Sequence, residues 1–190
     1  IYSYVPGKEM MNINLYIPSV LTWKEKSLKL RMTTDYPEHG KVVIKLEETS
    51  KEPLTINLRR PVWAAGDVTI RINGSKQKVE SVPGSFISLH RKWKKNDVIE
   101  LILPMPLYTV SMPDNVDRRA VFYGPTILAG TFGTEKRKMG DIPVFVSEEK
   151  SLTNYIKKIS DTSVSFVTTL PGGPDNVKML PFYKVADENQ

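Results

Sequence analysis

Through the first hundred residues the hydrophobic positions recur with a period of two. Ile13, Leu15 and Ile17 alternate with Asn12, Asn14 and Tyr16, and Leu28, Leu30 and Met32 alternate with Lys29 and Arg31. Val42, Ile44 and Leu46 follow, then Leu54, Ile56 and Leu58 set against Thr55, Asn57 and Arg59. Successive side chains of a strand point to opposite faces, so each run predicts a strand with one wet face. Pro37, Gly40, Pro53, Pro61 and Gly66 fall between the runs, where a missing N–H or side chain does least harm to a ladder. Val68, Ile70 and Ile72 lead into Asn73-Gly74, the pair that best tolerates positive φ at both centres of a type I′ hairpin turn.

Strands at roughly ten-residue spacing joined by short turns predict a sandwich, a barrel being the competing closure. The first unit is expected over 1–110, with 111–118 as a linker, because "MPDNVDRR" breaks the alternation with a proline and charges. The apolar run "AVFYGPTILAG" and the Gly- and Lys-rich "GTFGTEKRKMGD", read as an exposed loop, open a partial second unit over 119–190. One segment has helical spacing: Leu152, Tyr155, Ile156 and Ile159 fall at i, i+3, i+4 and i+7 behind Ser151 as N-cap. Strands around Val164–Thr168 and Val177–Tyr183 finish the chain. The expected fold class is all-β: an antiparallel β-sandwich followed by a second, incomplete β-sandwich with one short helix.

Composition narrows the class without naming a function. With 40% hydrophobic and 25% charged residues the chain is of the ordinary globular kind. Its formal charge of +6 permits attraction to polyanions without requiring it. The absence of cysteine excludes disulfides, thiolate nucleophiles and cysteine metal sites. No apolar run approaches the roughly 18 residues that cross a bilayer, and no signal-peptide pattern opens the chain. It starts on "IYSY" without methionine and stops at "DENQ", and reads as an excerpt of something longer.

Candidate chemistry is sparse. His39 and His90 are far apart, and neither has a second ligand at metal-binding spacing. No G-x-S-x-G elbow is present, and "GTFG" at 130–133 lacks the lysine and helix of a phosphate loop. Asp35 with Glu38, Glu47 with Glu48 and Asp114 with Asp117 are nominal glycosidase pairs, but such pairs are ordinary solvated turn residues. Trp23, Tyr36, Trp63 and Trp93 could supply a sugar-stacking platform, although tryptophan in a sandwich is more commonly core. "HRKWKKNDV", His90–Val98, interleaves cations with an aromatic ring as a nucleic-acid reader would. Alternation instead sets Trp93 on the inward face of Ile87 and Leu89, with Lys94–Asp97 forming a turn. Asn73-Gly74-Ser75 also fits the N-glycosylation pattern, but a turn is the expected role.

Several phrases stand in a fixed order: "IYSY", "NINLYIPSVLTWKEKSLKLRMTTDYP", "LRRPVWAAGDVTIRING", "GSFISLHRKWKKNDVIELILPMPL", "DNVDRRAVFYGPTILAG" and "VKMLPFYKV". Together they resemble the C-terminal part of the β-L-arabinofuranosidase family of glycoside hydrolases, family 127, over nearly the whole chain apart from 131–142 and 146–162. Asn96 stands where relatives commonly have the Gly of "W-K-x-G-D", and asparagine suits the same left-handed turn.

The resemblance implies an (α/α)6 catalytic barrel upstream, followed by two β-sandwich domains. It also implies a cysteine nucleophile at a zinc site of cysteines and a glutamate, all on that barrel. No catalytic, cofactor-binding or metal-binding position of the family therefore falls on a residue of this chain, and zinc belongs to the barrel that this chain lacks. The expected role is a non-catalytic accessory region, packing against its own upstream barrel or in a homodimer through Ile1–Tyr16 or "LPMPL". The alternative is a carbohydrate-binding module presenting aromatics to arabinose-containing plant glycans. Neither nucleic acid nor membrane is an expected partner, and the resemblance leans towards a periplasmic or secreted bacterial location.

Overall fold

A computed structural model describes residues 1–4, 6–132, 154–160, 163–169 and 176–185. Two compact units, Ile1–Met105 and Pro106–Gln190, each gather their own core. The first contains strands β1 (Tyr2–Tyr4), β2 (Met10–Ile13), β3 (Ser19–Trp23), β4 (Leu28–Thr34), β5 (Lys41–Glu48), β6 (Leu54–Arg59), β7 (Thr69–Ile72), β8 (Ser75–Gln77), β9 (Phe86–Arg91) and β10 (Val98–Ile102). They form a four-stranded sheet, β1-β2-β6-β9, and a six-stranded sheet, β3-β4-β5-β10-β7-β8.

Alternation explains why these sheets stack. Met11, Ile13, Leu54, Ile56, Leu58, Ile87 and Leu89 of the smaller sheet share one buried cluster with Leu28, Leu30, Met32, Val42, Ile44, Leu46, Ile70, Ile99 and Leu101 of the larger. At about 1.5–3 kcal/mol for each large apolar side chain removed from water, this cluster dominates the unit's stability. The pairing is antiparallel except between β2 and β6, which run parallel because the chain crosses to the other sheet and back between them.

One predicted run changes phase. Ile13 is fully buried, but Leu15 and Ile17 are 50% and 46% exposed while Tyr16 is 3% exposed. The strand ends at Ile13; Asn14 N–H makes the last bond along β1, to Ile1 O at 2.8 Å, and the chain then leaves the sheet. Tyr16 then swings inward and donates its hydroxyl to Arg59 O.

Both predicted tight turns form. Asn73 and Gly74 have φ of 51° and 81°, and β7 and β8 flank them with Ile72 opposite Ser75. Asn96 is left-handed at φ 69°. Gly40 has a different reason to be glycine: its carbonyl accepts Leu103 N–H at 2.9 Å, and a methyl there would collide with Leu103 O.

In the second unit, β11 (Leu107–Ser111), β12 (Arg119–Tyr123), β13 (Thr126–Thr131), β14 (Ile156–Lys158), β15 (Phe166–Thr168) and β16 (Lys178–Pro181) form one antiparallel sheet in the order β11-β12-β13-β16-β15-β14. Leu128, Ile156, Val164, Phe166 and Met179 make its core.

Two expectations are corrected here. Residues 107–110, assigned by alternation to the first sandwich, pair with β12, and the expected linker at 111–118 is mostly the loop of that hairpin, closed by Met112 N–H on Arg118 O at 2.8 Å. The helical spacing at Leu152–Ile159 does not yield a helix in its described part. Ile156–Lys158 is strand, paired with β15, Ile156 is buried and Ile159 is 54% exposed; Ser151 and Leu152 lie outside the described residues. Among the described residues the α-helix, α1, is instead Phe182–Val185.

Candidate functional site

"HRKWKKNDV" forms the end of β9, a turn and the start of β10. Trp93 is 4% exposed, lies in the core with Ile87 and Leu89, and donates Nε1–H to Leu54 O at 2.8 Å. The Arg91 guanidinium sits 5.3 Å from its ring centroid. A ring so enclosed offers no face to a base or a sugar. Lys94–Asp97 close the turn through Asp97 N–H to Lys94 O at 3.0 Å.

Asp97 is buried, and its carboxylate accepts Lys94 N–H at 2.9 Å and Asn73 Nδ2–H at 2.8 Å. Asn73 Oδ1 in turn accepts Val98 N–H at 2.8 Å. The tips of two hairpins are thus clamped together, and both ends of the Asn73 amide are engaged within the fold. Burial raises the Asp97 carboxyl pKa, but the Asn73 and Lys94 hydrogen bonds, with the charges of Arg91 and Lys94, outweigh it and hold the group below its ordinary value.

The remaining candidates do not converge. His90 Nδ1 shares a hydrogen with Thr55 Oγ1 at 2.8 Å, while His39 sits in a turn whose N–H reaches Asp35 O at 3.3 Å. Glu38 N–H bonds the same Asp35 carbonyl, and Asp117 N–H bonds Asn115 Oδ1 in the loop between β11 and β12. Glu47 is committed to Arg31 and Lys29, whose hydrogen bonds hold its carboxyl below the usual range, so it is not poised to donate a proton. Among the described residues no cluster of three or more His, Cys, Asp or Glu could hold a metal ion, so zinc has no fitting ligand set there.

Of the other rings, Tyr36 stacks on Trp63 at 6.3 Å and meets Tyr16 edge-on at 6.1 Å; this file packs against the core. Trp23 is half-buried against Tyr4 at 5.1 Å. The four nominated aromatics therefore do not build a common exposed platform.

Arg60 carried no signal of its own in the sequence reading. It continues the inward phase of Leu54, Ile56 and Leu58, and is buried. Its guanidinium donates to Ala64 O, Gly66 O, Ser81 O and Ser81 Oγ at 2.6–3.1 Å. Every N–H is engaged by neutral acceptors, so Arg60 latches two loops together beside a hollow of about 570 Å³ that Asp67, Glu80 and Phe86 also line.

At the N-terminal end, Ile1, Tyr4, Leu15, Ile17 and Val20 are all exposed. The Asn14–Ile1 backbone bond brings Leu15 beside Ile1, and Tyr2 hydroxyl to Ser19 Oγ, 2.9 Å, ties β1 to the start of β3.

Residues 10–105 match the family model described as the middle domain of the GH127 beta-L-arabinofuranosidases. The chain belongs to that family. A structure described as a glycoside hydrolase superposes with a TM-score of 0.66 at 20% identity, over 95% of this chain and 34% of that one. A GH127 beta-L-arabinofuranosidase from Geobacillus stearothermophilus T6 gives 0.58 at 25% identity, over 67% of this chain and 21% of the other. Another structure, described as a GH127 beta-arabinofuranosidase, gives 0.62 at 20% identity, over 92% and 32%. The GH127 chain thus spans about a third or less of these solved enzymes. No curated protein matches it.

Proposed function

We propose that this GH127 region is a non-catalytic β-sandwich of a larger glycoside hydrolase, and that it packs against a catalytic domain preceding Ile1 in the same polypeptide. The observation that carries the reading is the exposure of five large apolar side chains, Ile1, Tyr4, Leu15, Ile17 and Val20, within the first twenty residues, the segment that would follow that domain. Such a concentration of exposed apolar groups in one segment is consistent with an interaction surface. The match to a middle domain, and the small part of each solved relative that the chain spans, support an intramolecular occupant. The burial of Trp93 argues against the sugar-stacking alternative.

The test extends the protein through its own upstream sequence. With Leu15→Asp and Ile17→Asp together, thermal unfolding of the extended protein should fall by several degrees, while circular dichroism of the 190-residue chain is unchanged. An unchanged transition would defeat the docking reading. Hydrolysis of a 4-nitrophenyl arabinofuranoside by the chain alone would defeat the non-catalytic one.

A further inference from the structure

The outward positions of the six-stranded sheet carry Lys29, Arg31, Lys41, Lys45, Arg71 and Lys76 against Glu47 and Glu100. The intervening residues Leu30, Met32, Val42, Ile44 and Ile70 are buried, so these charges project from one face. Glu47 pairs with Lys29 at 3.2 Å and Arg31 at 2.7 Å, and Glu100 with Lys41 at 3.6 Å. Lys45, Arg71 and Lys76 enter no ion pair among the described residues.

The register sharpens the imbalance. Arg31 lies directly opposite Lys45 across β4 and β5, and Arg71 directly opposite Lys76 across β7 and β8, with Glu100 facing Arg71 from β10 on its other side. Like charges in directly opposed positions destabilise a sheet; Glu47 beside Arg31 and Glu100 opposite Arg71 offset part of this, which leaves Lys45 and Lys76 as the uncompensated cations. Cations held together at that cost make sense where an external anion offsets the repulsion.

We propose that this face binds an acidic polysaccharide through its carboxylates. No outward position of these strands carries an aromatic ring, so the face lacks the stacking groups that single-stranded nucleic acids use. Lys41 and Lys45, four residues apart on one strand, are about 13 Å apart, and β5 and β7 lie about 10 Å apart across β10. That spread suits a polymer with repeated carboxylates rather than one small anion. The choice of a glycan rests on the glycoside-hydrolase membership; the anionic preference rests on the charges alone.

Binding of the 190-residue chain is measured against polygalacturonate, its fully methyl-esterified form and double-stranded DNA, at about 50 and 200 mM NaCl, since screening of exposed charges strengthens over this range. The expected result is saturable binding to polygalacturonate, weakened about tenfold or more by the added salt, with none to the ester and weaker binding to DNA. Lys45→Gln with Lys76→Gln should weaken binding about tenfold and leave the melting temperature unchanged or raised, because opposed cations are removed. Lys95→Gln, in the turn, should change neither.

No binding to polygalacturonate at low salt, equal binding to the ester, tighter binding to DNA, or an unaffected double variant would each overturn the proposal. None of these results touches the docking role of Leu15 and Ile17, which is read from a different assay.

Discussion

Asp97 makes the strongest residue-level demand on the fold, because a buried carboxylate is tolerated only where donors replace water. Asp97→Asn removes the charge but keeps the shape, and should cost about 1–2 kcal/mol in urea unfolding. The sign of its pH dependence follows from the depressed pKa. Stabilisation is fully present above the unfolded value of about 4 and is lost as pH falls through the lower folded value. Acid unfolding of Asp97→Asn should therefore show a shallower loss below pH about 4 than the parent; equal slopes would mean that the carboxylate is not the linked group. Gly40 is a second such position. Gly40→Ala should cost about 1–3 kcal/mol because the new methyl meets Leu103 O in a packed site, with thermal unfolding as the measure. The sequence pointed to turns at Asn73-Gly74 and Asn96, since positive φ has a residue signature. It did not point to the hydrogen bond between them, which joins residues 24 positions apart.

Elements were legible where one face meets core and the other meets water, and less so elsewhere. The strands at Leu28–Thr34, Lys41–Glu48 and Leu54–Arg59 agree with alternation because each is half-buried. The run through Ile17 misled because alternation continues in the letters after the backbone has left the sheet. Helical spacing at Tyr155–Ile159 likewise yielded to pairing with β15, as a three-residue strand is too short to display its own period. Arg60 was readable only as an anomaly of phase, and its importance depends on which carbonyls converge on it. Arg60→Met should free Ala64, Gly66 and Ser81 carbonyls at a cost of about 1–3 kcal/mol. Proteolysis and amide exchange should quicken first in residues 61–66 and 78–85, and a uniform change across the unit would remove the latch from consideration.

For the whole molecule, the two separate cores should give two levels of stability. In the first unit β4, β5 and β10 are paired on both sides and face that unit's core. Their amides should exchange slowest, while β14, three residues long and paired only with β15 among the described residues, should exchange at least about tenfold faster. Mass-spectrometric exchange at neutral pH checks the order.

The sequence by itself determined the all-β class, the two tight turns, the inward course of Trp93 and the family, because each depends on neighbours in the chain or on phrases in order. Only the tertiary structure decided that Asp97 and Asn73 form a clamp, that Arg60 is a latch, and that lysines and arginines scattered along the sequence share one sheet face. Those facts depend on strand register, which pairs Arg31 with Lys45 and Arg71 with Lys76. Register is set by how two sheets bury their apolar faces together, and no local stretch of sequence encodes that by itself.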